Sequence, residues 1–157
     1  MPVTENQLDR IDLKILRIMQ GNGRISNVEL SRRVDLSPAP CLARVKKLEE
    51  SRYILGYRAE LNPQQLGISL LAFVEITLDR TTSDVFEKFK QAVQLIPEIE
   101  ECHMVAGGFD YLLKVRCTDM DAYRQLLGEK ISNITGVMQT HTYVVMEQVK
   151  SDNILNI

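Results

Sequence analysis

The sequence DLSPAPCLARVKKLEE, residues 35–50, combines two prolines, a cluster of cations and the spacing of an amphipathic helix. Ser37 suits the N-cap position of this helix. Pro38 and Pro40 then occupy its first and third positions, where backbone N–H groups have no acceptor within the helix. The prolines therefore cost no hydrogen bond, and they stiffen the entrance of the helix.

The two faces of this helix differ in chemistry. We expect Leu42, Val45 and Leu48 to be buried, with Cys41 as a small core residue beside them. The outward face then carries Ala39, Ala43, Arg44, Lys46 and Lys47. Small residues there permit the close approach of another molecule, and the cations favour a polyanion.

Two further helices precede this one. Apolar residues recur at helical spacing from Leu8 to Met19, and two glycines follow them. Ser26 and Glu29 have the spacing of a capping box, which predicts a second, short helix that runs to about Val34. A turn of three residues separates the second predicted helix from the third.

Two short strand-like segments, residues 54–57 and 58–61, follow the third helix and predict a small hairpin. Together with the helices and the tight turn, they match a winged helix-turn-helix, in which the basic helix enters the major groove of DNA. The alternative is that the cations form an ordinary solvated face. We expect the DNA contacts to come from Arg32, Arg33, Ser37, Pro38, Ala39, Pro40, Cys41, Ala43, Arg44, Lys46, Lys47 and Arg58.

The net charge of −2 conceals an asymmetry. Residues 1–60 carry 11 Lys and Arg against 8 Asp and Glu, whereas residues 61–157 carry 8 against 13. The first part is therefore the one suited to a nucleic acid. No apolar run reaches the roughly 20 residues of a membrane helix, and the N-terminus lacks the features of a secretory signal, so we expect a cytoplasmic protein.

A second domain is expected after a hinge at residues 62–69, where Asn62-Pro63 and Gly67 interrupt the pattern. Strands are predicted at residues 70–78, 99–106, 111–117 and 137–149, and helices at residues 85–96 and 123–131. The order β-α-β-β-α-β predicts an α+β, ferredoxin-like domain with both helices on one face of an antiparallel sheet. The predicted divisions are residues 1–61, 62–69 and 70–157.

The face of this sheet opposite the helices would carry apolar residues such as Phe73, Tyr143 and Val145. Leaving apolar surface in water costs roughly 25 cal/mol per Å². A second copy of the chain is the simplest cover, so the pattern predicts a homodimer.

Gly107-Gly108-Phe109-Asp110-Tyr111 joins two predicted strands. Glycines let backbone N–H groups approach a ligand closely. Asp110 would hold an ammonium group while the amides hold a carboxylate, and these are the two charges of a free amino acid. The alternative is a plain hairpin, in which the glycines serve the turn geometry and Asp110 is a turn residue.

No catalytic or metal site is predicted. His103, His141 and Cys102 lack a further ligand at suitable spacing, and the three cysteines have no CxxC spacing. No Walker, dinucleotide-binding or Ser/His/Asp signature occurs. The competing class is a ferredoxin-like ligand-binding protein or enzyme whose N-terminal domain binds another protein.

Six stretches together are very specific: LDRID (8–12), NGRIS (22–26), VELS (28–31), LSPAPCL (36–42), GGFDY (107–111) and TYVVME (142–147). They resemble the Lrp/AsnC (feast/famine) family of bacterial transcriptional regulators over almost the whole chain. The resemblance implies an N-terminal winged helix-turn-helix and a C-terminal amino-acid-sensing domain.

The resemblance also implies an assembly and an effector site. Sensing domains of the family pair through their sheets, dimers assemble into octameric rings, and the amino acid binds between dimers. The expected effector residues are Gly107, Gly108, Asp110 and Tyr111, with Thr140 and Thr142 as companions. Leucine or methionine is the expected effector, no other cofactor is expected, and the regulator is expected to be nucleoid-associated. Relatives often carry an acid or another polar residue at the position of Gly108, and this departure bears on the choice of effector.

Overall fold

The structure is a computed structural model that describes residues 8–157. Residues 1–7, on which the prediction of no secretory signal rests, lie outside the described part. The chain divides into two compact units: the described residues up to Glu60 group with Lys150–Ile157, and Leu61–Val149 form the other. The last eight residues therefore group with the first unit, whereas the division predicted from the sequence assigns them to the second domain. No helix of the described part is long and apolar enough to cross a membrane.

The first unit contains three helices: α1 (Arg10–Gly21), α2 (Asn27–Arg33) and α3 (Pro38–Glu50). Their apolar stripes meet in one core. Its buried members are Ile15, Leu30, Val34, Cys41, Val45 and Leu48. The predicted helix-turn-helix is therefore present. Each of the three helices has one apolar face, and packing these faces against one another removes all three from water.

Capping explains where α1 and α2 begin. The Asp9 side chain accepts hydrogen bonds from the N–H groups of Ile11 and Asp12, each at 2.8 Å, and the Asp12 carboxylate accepts from the N–H of Asp9 at 3.3 Å. This is a complete capping box. The predicted box at Ser26 is only half formed: its hydroxyl accepts from the N–H of Glu29 at 3.2 Å, while the Glu29 carboxylate pairs with Arg33.

The turn between α2 and α3 is tight. Asp35 has a φ of 59°, a left-handed conformation that aspartate tolerates better than most residues. The N–H of Leu36 donates to the carbonyl of Ser31 at 2.9 Å, and Lys14 of α1 pairs with the Asp35 carboxylate at 3.0 Å. These contacts fix the point from which α3 starts.

The predicted wing strands, residues 54–57 and 58–61, do not pair with each other: residues 55–62 form neither helix nor strand. Their prediction as a hairpin is wrong for this structure. A two-stranded hairpin by itself is marginally stable in water, and no Asn-Gly type turn stands between the two segments.

The second unit contains β1 (Leu70–Leu78), α4 (Ser83–Gln94), β2 (Ile99–Met104), β3 (Tyr111–Cys117), α5 (Met120–Gln125) and β4 (Val137–Val144). A π-helical turn, Leu126–Ile131, continues α5. The strands lie in the order β2-β3-β1-β4, and every neighbouring pair is antiparallel. This confirms the ferredoxin-like prediction, although β2 and β4 end earlier than expected.

The period-2 pattern of β1 sets the core of this unit. Ala72, Val74, Ile76 and Leu78 are buried with Phe89 of α4 and further helix residues. Successive strand residues point to opposite faces, so Phe73 and Glu75 lie on the other side. That other side is the open face, whose β4 residues include Tyr143.

Gly136, just before β4, provides a test of this packing. Its φ is +92°, and a Cβ there would stand 2.7 Å from Cγ1 of the buried Val85. We expect Gly136→Ala to lower the free energy of unfolding by about 1–3 kcal/mol, because strain and overpacking add. This change in the free energy of unfolding is measured by urea denaturation monitored by circular dichroism. Gly128→Ala is the control, since a Cβ there meets nothing within 4 Å; equal stability of the two variants would contradict the packing described.

Candidate DNA-binding surface and effector site

Helix α3 is anchored by one narrow stripe. Cys41, Val45 and Leu48 are 0, 8 and 3% exposed. Leu42 is 43% exposed, so its predicted burial is wrong. Each residue turns the helix by about 100°, which places Leu42 at the side of the stripe defined by Cys41 and Val45.

Burial decides between the two roles expected of Cys41, that of a small core residue and that of a DNA contact. Its side chain lies wholly within the core, and burial raises the pKa of its thiol. A group with no exposed surface does not reach a duplex, so Cys41 is removed from the DNA-binding set. Its function is to fill the core between α3 and the other two helices.

The entrance of α3 is held by a contact that the sequence did not reveal. Ser37 is the N-cap residue, but its side chain makes no capping hydrogen bond. Pro40 at the third helical position has no N–H to donate to it. The amide Nδ2 of Asn27 instead donates to the carbonyl of Pro38 at 2.8 Å. Within the first three helical positions only Ala39 retains an N–H group, so an anion would find one backbone donor there rather than three.

Arg44 is not the free cation that the sequence predicted. Its Nη1 lies 2.6 Å from Oδ2 of Asp9 and 2.8 Å from Oδ1 of Asp12. Hydrogen bonds from the backbone N–H of Asp12 and from Arg44 lower the pKa of the Asp9 carboxyl. Arg44 therefore ties α3 to the start of α1. The Asp-x-x-Asp spacing of residues 9–12 indicates a capping box, but it does not indicate that an arginine 32 or more residues away pairs with these carboxylates.

The remaining predicted cations are placed differently. Lys46, Lys47 and Arg58 are exposed, and within residues 8–157 none of them forms an ion pair. Arg33 lies 2.9 Å from the Glu29 carboxylate, and Arg32 lies 3.9 Å from it. Ala39 and Ala43 are exposed between these cations. The outward surface of α3 thus presents two unpaired ammonium groups beside small side chains.

The glycines of the predicted effector turn are not required by the fold. A Cβ on Gly107 or Gly108 would meet nothing within 4 Å, and neither residue has a left-handed φ. Turn geometry, the competing interpretation, therefore does not explain why glycine stands at these positions. Both residues are exposed, so another molecule can reach their backbone.

Asp110 has a structural role that the sequence did not indicate. Its Oδ2 accepts a hydrogen bond from the N–H of Leu78 at 2.7 Å, and its own N–H donates to the carbonyl of Ile76 at 2.9 Å. The carboxylate thereby joins the end of β1 to the start of β3. Among the described residues, no partner occupies its other oxygen, Oδ1.

Tyr111 does not lie at the turn surface. It is 2% exposed, and its ring packs against Phe89 and Phe86 with centroid separations of 4.5 and 6.1 Å. Burial raises the pKa of its hydroxyl, which has no hydrogen-bond partner within the described chain. The structure thus places the ring of Tyr111 in the helix-side core, and its contact with an effector stays a prediction.

The two predicted threonines differ. Thr142 lies opposite Val74, and its hydroxyl is hydrogen-bonded to that of the buried Tyr123 at 2.5 Å. Thr140 lies opposite Ile76, whose carbonyl receives the N–H of Asp110. The sheet therefore places Thr140 at the level of the effector turn. Thr142 lies two residues further along β4, and its hydroxyl already has a hydrogen-bond partner.

No group of three or more His, Cys, Asp or Glu side chains in the described part is arranged to hold a metal ion. The three cysteines are free thiols. The candidate surfaces are thus the outward side of α3 and the turn at residues 107–110.

Fold and surfaces together define a helix-turn-helix DNA-binding protein with a separate small-molecule-binding domain. A family model for a winged helix-turn-helix DNA-binding domain matches residues 8–54, and a model for the Lrp/AsnC ligand-binding domain matches residues 71–155. The chain belongs to the Lrp/AsnC family of transcription regulators, which combine a DNA-binding domain with an amino-acid-binding domain.

Individual relatives of the chain agree with this family assignment. The leucine-responsive regulatory proteins of Klebsiella pneumoniae and Escherichia coli K12 are each 62% identical over 146 residues, which cover 93% of this chain and 89% of theirs. The L-Met complex of a transcriptional regulator from Neisseria meningitidis superimposes with a TM-score of 0.90 at 38% identity, covering 94% of this chain and 96% of that one. These relatives are named as regulators, in agreement with the expectation of a transcription regulator rather than an enzyme.

The pairing of Arg44 gives a pH-dependent prediction. The pKa of Asp9 is lowered in the folded state, so its contribution to stability is present above the ordinary carboxyl value near 3.8 and is lost as the pH falls through the folded value. Asp9→Asn keeps an N-cap acceptor but loses the charge. We expect it to lower the urea midpoint at pH 7 and to match the unsubstituted protein in strong acid.

Asp119→Asn is the matched control, because Asp119 is also an N-cap, accepting from the N–H of Ala122 at 2.9 Å, but has no arginine partner. The measurement is urea unfolding at pH 7 and at pH 3 or below. A shift for Asp119→Asn as large as that for Asp9→Asn at pH 7 would show that Arg44 adds nothing.

Proposed function

We propose that α3 docks in the major groove and that Lys46, Lys47 and Arg58 neutralise phosphates of the operator. The supporting observation is that these exposed cations form no ion pair with any residue from 8 to 157, while Cys41, Val45 and Leu48 hold the opposite side of α3 in the core. Ala39 and Ala43 leave room for the bases. We assign further contacts near the entrance of α3 and at the end of α2 to Arg32, Arg33, Ser37, Pro38 and Pro40.

We infer that the effector is leucine or methionine and that it binds at the turn of residues 107–110. The family match supports an amino acid, and the Neisseria relative was crystallised with L-Met. Oδ1 of Asp110 is suited to the ammonium group, and the exposed backbone at Gly107 and Gly108 is suited to the carboxylate. Thr140 is a polar neighbour in the same row of the sheet. We do not extend this set to Tyr111, and we place Thr142 next to the site rather than in it.

We further propose a homodimer that pairs through the open face, and an assembly of dimers up to an octamer, acting on the nucleoid in the cytoplasm. Phe73 is half-buried and Tyr143 is 55% exposed on that face. Around them lie ion pairs, including Lys114 with Glu101 at 2.9 Å and Arg116 with Glu100 at 2.5 Å. A second copy would cover the apolar part while the charged residues fix the register.

A two-fold dimer presents two copies of α3, so the operator is expected to be a pseudo-palindrome with half-sites separated by about 34 Å or a multiple of it. An amino acid changes DNA affinity only if it binds one arrangement of the assembly better than another. A tenfold preference corresponds to about 1.4 kcal/mol of coupling.

The DNA-binding proposal separates two residues that the sequence treated alike. Lys47→Ala should weaken operator binding and reduce the slope of log affinity against log salt by about 1, because one phosphate contact is lost. Arg44→Ala should instead lower the urea midpoint, because it leaves Asp9 and Asp12 without their partner. Fluorescence anisotropy on the DNA upstream of the chain's own gene measures the slopes. Lys88→Ala, an exposed lysine of α4, is the control, and an unchanged slope for Lys47→Ala would contradict the proposal.

The effector proposal is tested best with Asp110→Asn. Alanine would leave the N–H of Leu78 without its acceptor, whereas asparagine retains an oxygen and removes only the charge. We expect DNA affinity without amino acid to change less than about twofold and the response to leucine or methionine to be lost in a gel-shift assay. Asp121→Asn, a carboxylate exposed on α5, is the control. A retained response would place the ammonium site elsewhere.

A further inference from the structure

Residues 153–157 form the tail of the described chain. The tail follows the second unit in sequence, but its contacts are with the first unit. Its central contact is with Gln20 of α1. The amide Nε2 of Gln20 donates to the carbonyl of Leu155 at 2.9 Å, and the N–H of Leu155 donates to Oε1 of Gln20 at 3.0 Å. One side chain thus satisfies both backbone groups of one residue, as a neighbouring strand would.

A second polar contact and an apolar groove extend this pairing. Nε of Arg17, about one turn before Gln20, donates to the backbone oxygen of Ile157. Asn153, Leu155 and Ile157 lie beside the groove between α1 and residues 53–57, and together the three segments enclose a cavity of about 480 Å³. Alternate residues of the tail therefore face the same way, as expected for an extended peptide. The α1 wall of the groove includes Leu13, Leu16 and Met19.

The tail is held by few contacts. Ile154 is 57% exposed, Leu155 is 70% exposed and Ile157 is 39% exposed, so little apolar surface is removed from water. Hydrogen bonds between exposed groups replace bonds to water and contribute modestly. A segment held in this way opens and closes locally while the rest of the unit stays folded.

We propose that the groove between α1 and residues 53–57 is a docking site for an extended peptide, and that its occupant is the tail of the same chain, held reversibly by Gln20. This goes beyond DNA and amino-acid binding. While docked, the tail connects the DNA-binding unit through noncovalent contacts to the chain that follows β4, in addition to the covalent linker of residues 62–69. Release of the tail removes that connection without unfolding either unit.

Hydrogen–deuterium exchange of the full chain, read by mass spectrometry, tests the docking. In the unsubstituted protein, the amide of Leu155 should exchange measurably more slowly than it would in an unstructured peptide. In Gln20→Ala that amide should exchange at least about fivefold faster, while the peptides of α1 stay protected because alanine is a good helix former. Gln91→Ala, the same change at an exposed site of α4, should leave the tail unaffected.

A second variant tests whether the effect of Gln20→Ala comes from a change in α1 rather than from the loss of the contact with the tail. Leu155→Pro removes the N–H that Gln20 receives and lies outside every helix, so it should release the tail with α1 unchanged. Fast exchange of the tail in the unsubstituted protein, or equal protection in Gln20→Ala, would overturn the proposal.

The choice of the same chain as partner has its own test. Gln20→Ala labelled with ¹⁵N is refolded together with an excess of unlabelled, unsubstituted chain, so that mixed assemblies form. If the tail docks on its own chain, the labelled tail stays unprotected, because its own groove lacks Gln20. Recovered protection of the labelled tail would show docking on a neighbouring copy and would overturn this assignment.

Discussion

The orientation of α3 depends on the burial of Cys41, Val45 and Leu48 in one apolar stripe. A rotation of the helix by one residue, about 100°, would replace these side chains in the core by Leu42, Lys46 and Glu49. Burying an unpaired ammonium and an unpaired carboxylate costs several kcal/mol, and exposing a Val or Leu forfeits roughly 1.5–3 kcal/mol each. The helix therefore has one stable rotation, which leaves Lys46 and Lys47 outward. Arg44 and Asn27 add polar ties to α1 and α2 that fix its position along the bundle.

Asp110 links the proposed effector site to the frame of the sheet. Its carboxylate receives the last N–H of β1 while its main chain starts β3. An ammonium group bound to the other oxygen would therefore pull on the ends of two central strands rather than on a mobile loop. Thr140 of β4 is paired with Ile76, whose carbonyl accepts the N–H of Asp110. Rigid elements place such groups more precisely than loops do, which suits a site that discriminates between amino acids.

The sequence predicted the elements that periodicity determines and missed the contacts that depend on distant pairing. The apolar spacing of residues 8–48 and the alternation of residues 70–78 were sufficient for the helix-turn-helix and the ferredoxin-like sheet. Leu42 was misplaced because its neighbours Cys41 and Val45 fill the stripe. The contacts of Arg44 join residues at least 32 positions apart, and the contact of Gln20 joins residues 135 positions apart. The sequence pattern does not indicate which of these distant polar groups pair. Tyr111 adjoins the effector turn in sequence, but strand alternation directs its ring into the core.

The most direct test of the account is the reactivity of individual lysines toward an acetylating reagent, with and without a duplex from the DNA upstream of the chain's own gene. The account predicts that Lys46 and Lys47 react readily in the free protein and become protected when the duplex is added, whereas Lys88 and Lys90 of α4 are unaffected. Reactivity of Lys46 and Lys47 that is unchanged in the bound complex would contradict the claim that this side of α3 faces DNA.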